Sequence, residues 1–339
     1  MKEAVALQPS PLFDKNRPEY AVHLSIVVPL YNEVESVGGL LDAITQAMQG
    51  YPKVWQLILV DDGSTDGTVK HARSLLTPGM SNVHLVELSR NYGQTAAMQA
   101  GIDFAQGEFV VTLDGDLQND PSDIPHMVEH LINNDLDLLV GWRKNRQDNV
   151  VARKIPSWLA NRLIVKVSGV NIHDYGCSLK VYRGDVIRQI KLMGEMHRFI
   201  PIWVAGVVPP SRIGEIPVKH HARQFGVSKY GISRSVRVFL DLLSVMFFRR
   251  YLARPGHFFG TIGLFIGFVG MSMLSWLAID KFIFGHDIGT RPLLLTGVVS
   301  VLMSLQFITT GILAEMMSRT YFNNAGTSSY AVRNVYTAE

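Results

Sequence analysis

The sequence predicts a mainly parallel, doubly wound α/β domain followed by a membrane hairpin. Three observations carry this expectation. From Leu24 onward, short runs rich in Val, Ile and Leu alternate with segments of helical spacing. That is the pattern of strands buried on both faces and joined by crossover helices. Acids and amides fall directly after those runs, where open α/β sheets bind their ligands. Finally, residues 255–279 and 292–314 contain no Asp, Glu, Lys or Arg, although 18% of the 339 residues are charged. Each window exceeds the roughly 20 residues that a membrane span requires.

Taken in order, residues 1–23 carry Pro9, Pro11 and Pro18 among scattered charges and lack the apolar core of an export signal. They read as a flexible N-terminal tail. The strand runs are Leu24–Leu30, Leu57–Val60, Val83–Leu88, Phe109–Leu113 and Leu136–Val140. Between them, Val37, Leu40, Leu41, Ile44 and Met48 share one helical face. A second helix follows Asp66 as N-cap, a third runs from Gly93 to Phe104, and a fourth opens at Asp120-Pro121. Past Arg143 the pattern loosens. A helix near Met196–Ala205 and an alternating run Ile213–Val218 are expected to build the acceptor side of a cleft, completing a domain over residues 24–230.

Residues 231–254 read as an interfacial amphipathic helix. Ile232, Val236, Phe239 and Leu243 lie on one face, and Arg234, Arg237 and Asp241 on the other. Residues 255–316 form the two-helix transmembrane hairpin, with Gly260, Gly263, Gly267 and Gly270 spaced for close helix–helix contact. Residues 317–339 are expected to be a C-terminal tail. Six Lys/Arg and one Asp lie between Ser228 and Arg254. The positive-inside rule then places the domain and both termini in the cytoplasm, as an integral protein of the cytoplasmic membrane. The glycine-bearing span and the amphipathic helix also suggest a homo-oligomer.

Composition excludes other classes. A net charge of +3 is too small to argue for nucleic acid. The single cysteine, Cys177, forms no internal disulfide. Neither Gly-x-Gly-x-x-Gly nor a P-loop occurs.

The chemistry-bearing motifs begin with Asp114-Gly115-Asp116-Leu117-Gln118. Two carboxylates one residue apart, with Gln118 as a third oxygen, suit Mg²⁺ or Mn²⁺ shared with substrate phosphates. Asp61 and Asp62, in Asp61-Asp62-Gly63-Ser64, can accept from a nucleobase imide or a ribose hydroxyl. Asp66 reads only as a cap. In Pro29-Leu30-Tyr31-Asn32-Glu33, Tyr31 can stack on a base and Glu33 can accept from it.

Ser25–Glu33, Asp61–Thr68, Asn91-Tyr92-Gly93 and Asp114–Gln118, in this order and each at a strand end, resemble glycosyltransferase family 2. The resemblance covers roughly residues 24–230. It implies a GT-A fold, a nucleotide-diphosphate sugar donor bound by Pro29, Tyr31, Glu33, Asp61, Asp62 and Asp114, and a divalent metal on Asp114, Asp116 and Gln118. Asp174-Tyr175-Gly176-Cys177, His197–Pro201 and Gly226–Tyr230 are similar to the polyprenyl-phosphate branch, which includes dolichyl-phosphate mannose synthase. Two C-terminal spans resemble the bacterial undecaprenyl-phosphate transferases. The branch implies an acceptor phosphate held by Arg143, Arg198, Ser228 and Lys229. Asp116, Asp174, Arg198 and Lys229 are the candidate catalytic residues, with Asp174 acting as base, as orienting group or as acceptor from a sugar hydroxyl. The expected reaction is inverting transfer of glucose from UDP-glucose to undecaprenyl phosphate at the membrane lipid surface. GDP-mannose and a UDP-aminopentose are the alternative donors. A glycolipid glycosyltransferase and a non-catalytic scaffold are the remaining readings.

Overall fold

A computed structural model describes residues 20–144, 169–222, 255–323 and 329–337. Within these residues the chain forms two units, a globular one that includes the residues from 329 onward and a helical one between.

The globular unit is built on an eight-stranded sheet. In chain order its elements begin with β1 (Leu24–Leu30), α1 (Val37–Ala47), β2 (Trp55–Asp61), α2 (Thr68–Leu75) and β3 (Val83–Leu88). Next come α3 (Gln94–Phe104), β4 (Phe109–Thr112), α4 (Ile124–Asn133), β5 (Leu138–Trp142) and β6 (Lys180–Arg183). They are followed by the short helices α5 (Gly184–Ile187) and α6 (Ile200–Val204) and by β7 (Ile213–Pro217). The last strand is β8 (Val332–Thr337). The spatial order is β7-β5-β6-β4-β1-β2-β3-β8. Strands β4, β1, β2 and β3 run parallel, β6 lies antiparallel between β4 and β5, and β8 runs antiparallel along β3.

All seven residues of β1 are buried, as a central strand covered on both faces requires. Pro29 is tolerated there because β4 pairs with β1 only as far as Val27, so the missing N–H costs no ladder bond on that side. Helix α1 buries Val37, Leu40, Leu41 and Ile44, the stripe its spacing predicts. Asp120 accepts from the backbone N–H of Ser122 at 2.9 Å and opens the turn that leads into α4. Asp66 is not the N-cap of α2 that the sequence suggested. Gly67, at φ +96°, is the N-cap. The Asp66 carboxylate accepts from the Thr68 N–H at 3.0 Å and also from the Val34 N–H at 3.1 Å, tying two loops together.

Two strands differ from the sequence expectation. The run Lys-Val-Tyr-Arg of β6 has only two apolar residues, yet all four are buried. Its charged ends are placed by partners, Arg183 donating to the Leu136 carbonyl at 3.0 Å and to Asp135 at 3.1 Å. Strand β8 lies in the segment expected to be a tail. Its residues are mostly exposed, so hydrogen bonding to β3 holds it more than apolar burial does.

The helical unit holds α7 (Pro255–Phe284) and α8 (Pro292–Asn323), each long and apolar enough to cross a membrane and mostly exposed along its apolar length. A buried core helix would be covered; a membrane span is bare because lipid is its solvent. Gly263, Gly267 and Gly270 face α8, where an added Cβ would meet Ile308 at 2.9 Å, Ser304 at 2.5 Å and Ser300 at 2.8 Å. Gly260 meets nothing within 4 Å. The glycine stripe therefore serves contact within one hairpin, and it no longer argues for association between copies. Asp280, in the last turns of α7, pairs with Arg291 at 2.5 Å across the connecting loop. The predicted interfacial helix, residues 231–254, lies outside the described residues.

Candidate active site

Because β1, β2 and β4 are parallel neighbours, the loops at their carboxyl ends share one edge of the sheet. The loop after β1 is fixed to the loop after β2. The Asn32 N–H donates to Ser64 Oγ at 2.9 Å, and the Thr65 N–H donates to Asn32 Oδ1 at 2.9 Å. Asn32 adopts φ +55°, a left-handed conformation that asparagine tolerates. The Glu33 N–H donates to Thr68 Oγ1 at 2.9 Å, and the Glu33 carboxylate accepts from Ser36 Oγ. Tyr31 beside it is 46% exposed, so its ring is open to a partner.

Asp61 and Asp62 are both buried but differ in their partners. Asp62 accepts from the N–H groups of Tyr92 (2.7 Å) and Gly93 (2.9 Å). Its carboxylate therefore holds the loop after β3, where α3 begins. Asp61 accepts from the Ser64 N–H at 3.0 Å through one oxygen, while Oδ1 is buried with no hydrogen-bond partner among the described residues. Burial pushes the Asp61 carboxyl above the usual range, and hydrogen bonds from Ser64 oppose the shift. Burial raises Asp62 as well, against the pull of the two loop amides. Gly63 between this pair and the loop is obligatory. It sits at φ +69°, and a Cβ there would fall 2.5 Å from the backbone of Arg90.

At the end of β4, Asp114 accepts from Gln94 Nε2 at 2.7 Å. Asp116 Oδ1 accepts from the Gln118 N–H at 3.2 Å, which closes the turn. Desolvation, and then the neighbouring Asp116 charge, push the Asp114 carboxyl upward. A Ser178 hydrogen bond and the charges of Lys180 and Arg143 oppose that rise. Among the described residues no three His, Cys, Asp or Glu side chains cluster tightly enough to enclose a metal ion. Two carboxylates and an amide at one strand end fit an ion that keeps open positions for diphosphate oxygens.

Arg143 and Asp174 form a bidentate pair, Nε to Oδ2 at 2.7 Å and Nη2 to Oδ1 at 2.9 Å, with both side chains largely covered. Burial works against the Arg143 charge, but the Asp174 hydrogen bond and charge outweigh it and raise the guanidinium pKa further. Arg143 thus reaches this edge already paired to a carboxylate. Arg198 pairs with Glu195 at 3.0 Å, one turn away. His197 Nδ1 is 2.6 Å from Thr95 Oγ1 and anchors its turn to α3. Ser228 and Lys229 lie outside the described residues.

Lys180 is the residue that sequence reasoning missed. It is 3% exposed, and its ammonium donates to the Cys177 carbonyl. Burial lowers its pKa, while Asp114 and Asp174 favour its charge. A lysine inside the short run Leu179–Tyr182 was the available signal, because buried lysines occur almost only where something pairs with them. Cys177 is fully buried, and burial pushes its thiol up to about 11. It is a packed side chain and no nucleophile.

This architecture is the GT-A fold. Mannosyl-3-phosphoglycerate synthase from Rubrobacter xylanophilus superposes with a TM-score of 0.54 at 17% identity, over 68% of this chain and 75% of that one. Glucosyl-3-phosphoglycerate synthase from Mycobacterium tuberculosis, crystallised with Mn²⁺, UDP and phosphoglyceric acid, does so with a TM-score of 0.54 at 16% identity, over 69% and 84%. Residues 25–191 match the family described as "Glycosyl transferase family 2". A dodecaprenyl-phosphate galacturonate synthase of Rhizobium johnstonii is 61% identical over 326 residues, 96% of each chain. An undecaprenyl-phosphate 4-deoxy-4-formamido-L-arabinose transferase of Yersinia pestis is 33% identical over 317 residues, 93% of this chain and 94% of its own. The chain belongs to glycosyl transferase family 2, in its polyprenyl-phosphate branch.

Proposed function

We propose that this protein transfers a hexuronate, galacturonate, from a nucleoside-diphosphate donor to a polyprenyl phosphate. The observation that carries this reading is the 61% identity to the Rhizobium enzyme across nearly the whole of both chains. It favours galacturonate over the expected glucose, which rested chiefly on the two-span C-terminus.

The donor lies across the loops after β1 and β2. The unpartnered Asp61 Oδ1 accepts from the nucleobase imide or a ribose hydroxyl, and Tyr31 stacks on the base. Asp114, Asp116 and Gln118 would hold a Mg²⁺ or Mn²⁺ ion; when bound, it neutralises charge on the departing diphosphate. The acceptor phosphate is already a nucleophile and needs little help from a base. Its oxygen forms a bond to C1 of the sugar while the bond from C1 to the donor phosphate breaks. The nucleoside diphosphate leaves with that electron pair, and the anomeric configuration inverts. Arg198, with Ser228 and Lys229 of the sequence motif, is the candidate set for binding the acceptor phosphate. The Arg143–Asp174 pair fixes the wall of the cleft and presents a guanidinium whose charge is partly compensated.

The pairing of β8 with β3 supports a hairpin whose two ends lie on one side of the membrane. The basic segment between residues 228 and 254 supports reading that side as the cytoplasm. A cytosolic donor and a membrane lipid then meet at one surface.

The test uses purified full-length protein, polyprenyl phosphate, Mn²⁺ or Mg²⁺, and labelled UDP-galacturonate, UDP-glucose, GDP-mannose and a UDP-aminopentose. Lipid-linked label from the galacturonate donor, at least tenfold above the others, is the expected outcome. Label from glucose alone would restore the earlier donor, and no labelled lipid from any donor would overturn the function.

A further inference from the structure

The C-terminal strand makes contacts that its exposed position does not require. Arg333 Nη1 (3.2 Å), Asn334 Nδ2 (3.1 Å) and Tyr336 Oη (2.9 Å) all donate to the single carboxylate of Glu87 on β3. These contacts hold the Glu87 carboxyl below its usual range, against a desolvation that pushes it up. Beyond the ladder, the Ser89 N–H donates to the Ala331 carbonyl at 2.9 Å, and Arg333 Nη2 donates to the Ser89 carbonyl at 3.1 Å. Ser89 Oγ in turn bonds the Tyr92 hydroxyl at 2.9 Å. On the neighbouring helix, the Arg73 guanidinium lies 4.1 Å from the centre of the Tyr336 ring.

Two routes lead from these contacts to the donor loops. The first runs through the backbone. Ser89 opens the loop whose Tyr92 and Gly93 N–H groups hold Asp62, and Gly63 packs directly on the Arg90–Asn91 peptide. The second is electrostatic. Glu87 stands in register with Asp61 on β2, so any uncompensated Glu87 charge acts on Asp61 from the adjacent strand. Arg333 supplies the compensating charge.

We propose that the C-terminal strand is a positioning element for the nucleotide donor: Arg333 and its neighbours fix Glu87 and the residue 89–93 loop, and thereby set the Asp61–Asp62 end of β2. This inference rests on the reading of that end as the donor site. It also gives the return of the chain after the membrane hairpin a task, since the segment that re-enters the sheet completes the donor side.

The test is Arg333→Ala in the full-length protein, alone and combined with Glu87→Gln. Nucleoside-diphosphate affinity is measured by titration calorimetry, alongside steady-state constants for donor and acceptor. Arg333→Ala is expected to weaken nucleotide binding and raise the donor KM by about fivefold, the scale of one partly exposed charged hydrogen bond. The acceptor KM and kcat should stay within about twofold, because the side-chain contacts described for the strand go to Glu87, Ser89 and Arg73, on the donor side of the sheet. Glu87→Gln in the same chain removes the uncompensated charge and is expected to restore most of the affinity. Arg333→Lys, which keeps the charge, should lie between. Unchanged donor affinity in Arg333→Ala would overturn the proposal. So would a loss spread equally over kcat and both KM values that Glu87→Gln fails to rescue, because that pattern marks general destabilisation. A wild-type protein that binds no nucleoside diphosphate would instead overturn the donor-site reading itself.

Discussion

Two acidic pairs stand at the ends of β2 and β4, the strands that flank β1, and have different fates. Asp61 and Asp62 close β2; both are buried, and the fold uses one of them to hold its own backbone. Asp114 and Asp116 follow β4. Both are partly exposed; Asp114 accepts from Gln94 and has its charge favoured by the buried Lys180 and by Arg143, while Asp116 accepts from the Gln118 N–H. The first pair is built into the framework with one oxygen left over. The second stays partly open, with Lys180 and Arg143 opposing only in part the desolvation that works against the Asp114 charge. The difference teaches that an acid's role follows from what already occupies its oxygens.

The largest expected effect falls on the partly exposed pair. Asp116→Ala should lower transfer at least about 10³-fold, since several kcal/mol of charge stabilisation at the diphosphate are lost. Thermal unfolding should stay near wild type. A variant that labels lipid at a tenth of the wild-type rate or better would break the contrast. Lys180→Met comes next, with a loss of about 10- to 10²-fold, the usual cost of removing a group that supports ligating carboxylates. Because an apolar residue of similar length fills the space, the fold should survive. A rate equal to wild type would remove Lys180 from the account.

The buried pair should separate into a stability residue and a binding residue. Asp62→Ala leaves two N–H groups without an acceptor, and about 2–4 kcal/mol of stability should be lost. A thermal midpoint equal to wild type would contradict this. Asp61→Asn should hold or raise the midpoint while weakening nucleotide binding. The sign follows from its upward shift. With the folded-state pKa above the unfolded one, the unfolded chain gives up this proton first as pH rises, so ionised Asp61 favours unfolding at neutral pH. Nucleotide affinity should accordingly fall as pH drops through a point above the ordinary carboxylate range. The decline should approach about tenfold per pH unit below that point and be absent in Asp61→Asn. A pH-independent wild type would leave Asp61 without its role. The smallest effect concerns Cys177, whose buried, neutral thiol should resist iodoacetamide at pH 7.5 until the protein unfolds. Rapid labelling of the native protein, followed by mass spectrometry, would contradict that burial.

Much of this was legible in the sequence because local patterns imposed it. The apolar runs of β1 to β5, the stripe of α1 and the charge-free windows each report a burial period or a solvent, and each needs only its own residues to do so. The loops that carry Tyr31, Asp61 and Asp114 were equally visible, since ligands gather at strand ends. Long-range pairing decided the rest. Strand β6 hides its charges because Leu136 and Asp135 lie opposite Arg183, and Cys177 folds back to meet Lys180. Strand β8 has an exposed, polar pattern and becomes a strand only because the edge of β3 offers unpaired backbone groups. That Asp62 is occupied while one Asp61 oxygen has no partner among the described residues depends on where Tyr92 and Gly93 lie, about thirty residues away. The sequence by itself determined which residues could carry charge at the sheet's edge and which segments could enter lipid, since composition and period suffice for both. The tertiary structure alone decided which of those carboxylates have their oxygens occupied and which do not among the described residues, because the partners come from strands and loops far apart in the chain.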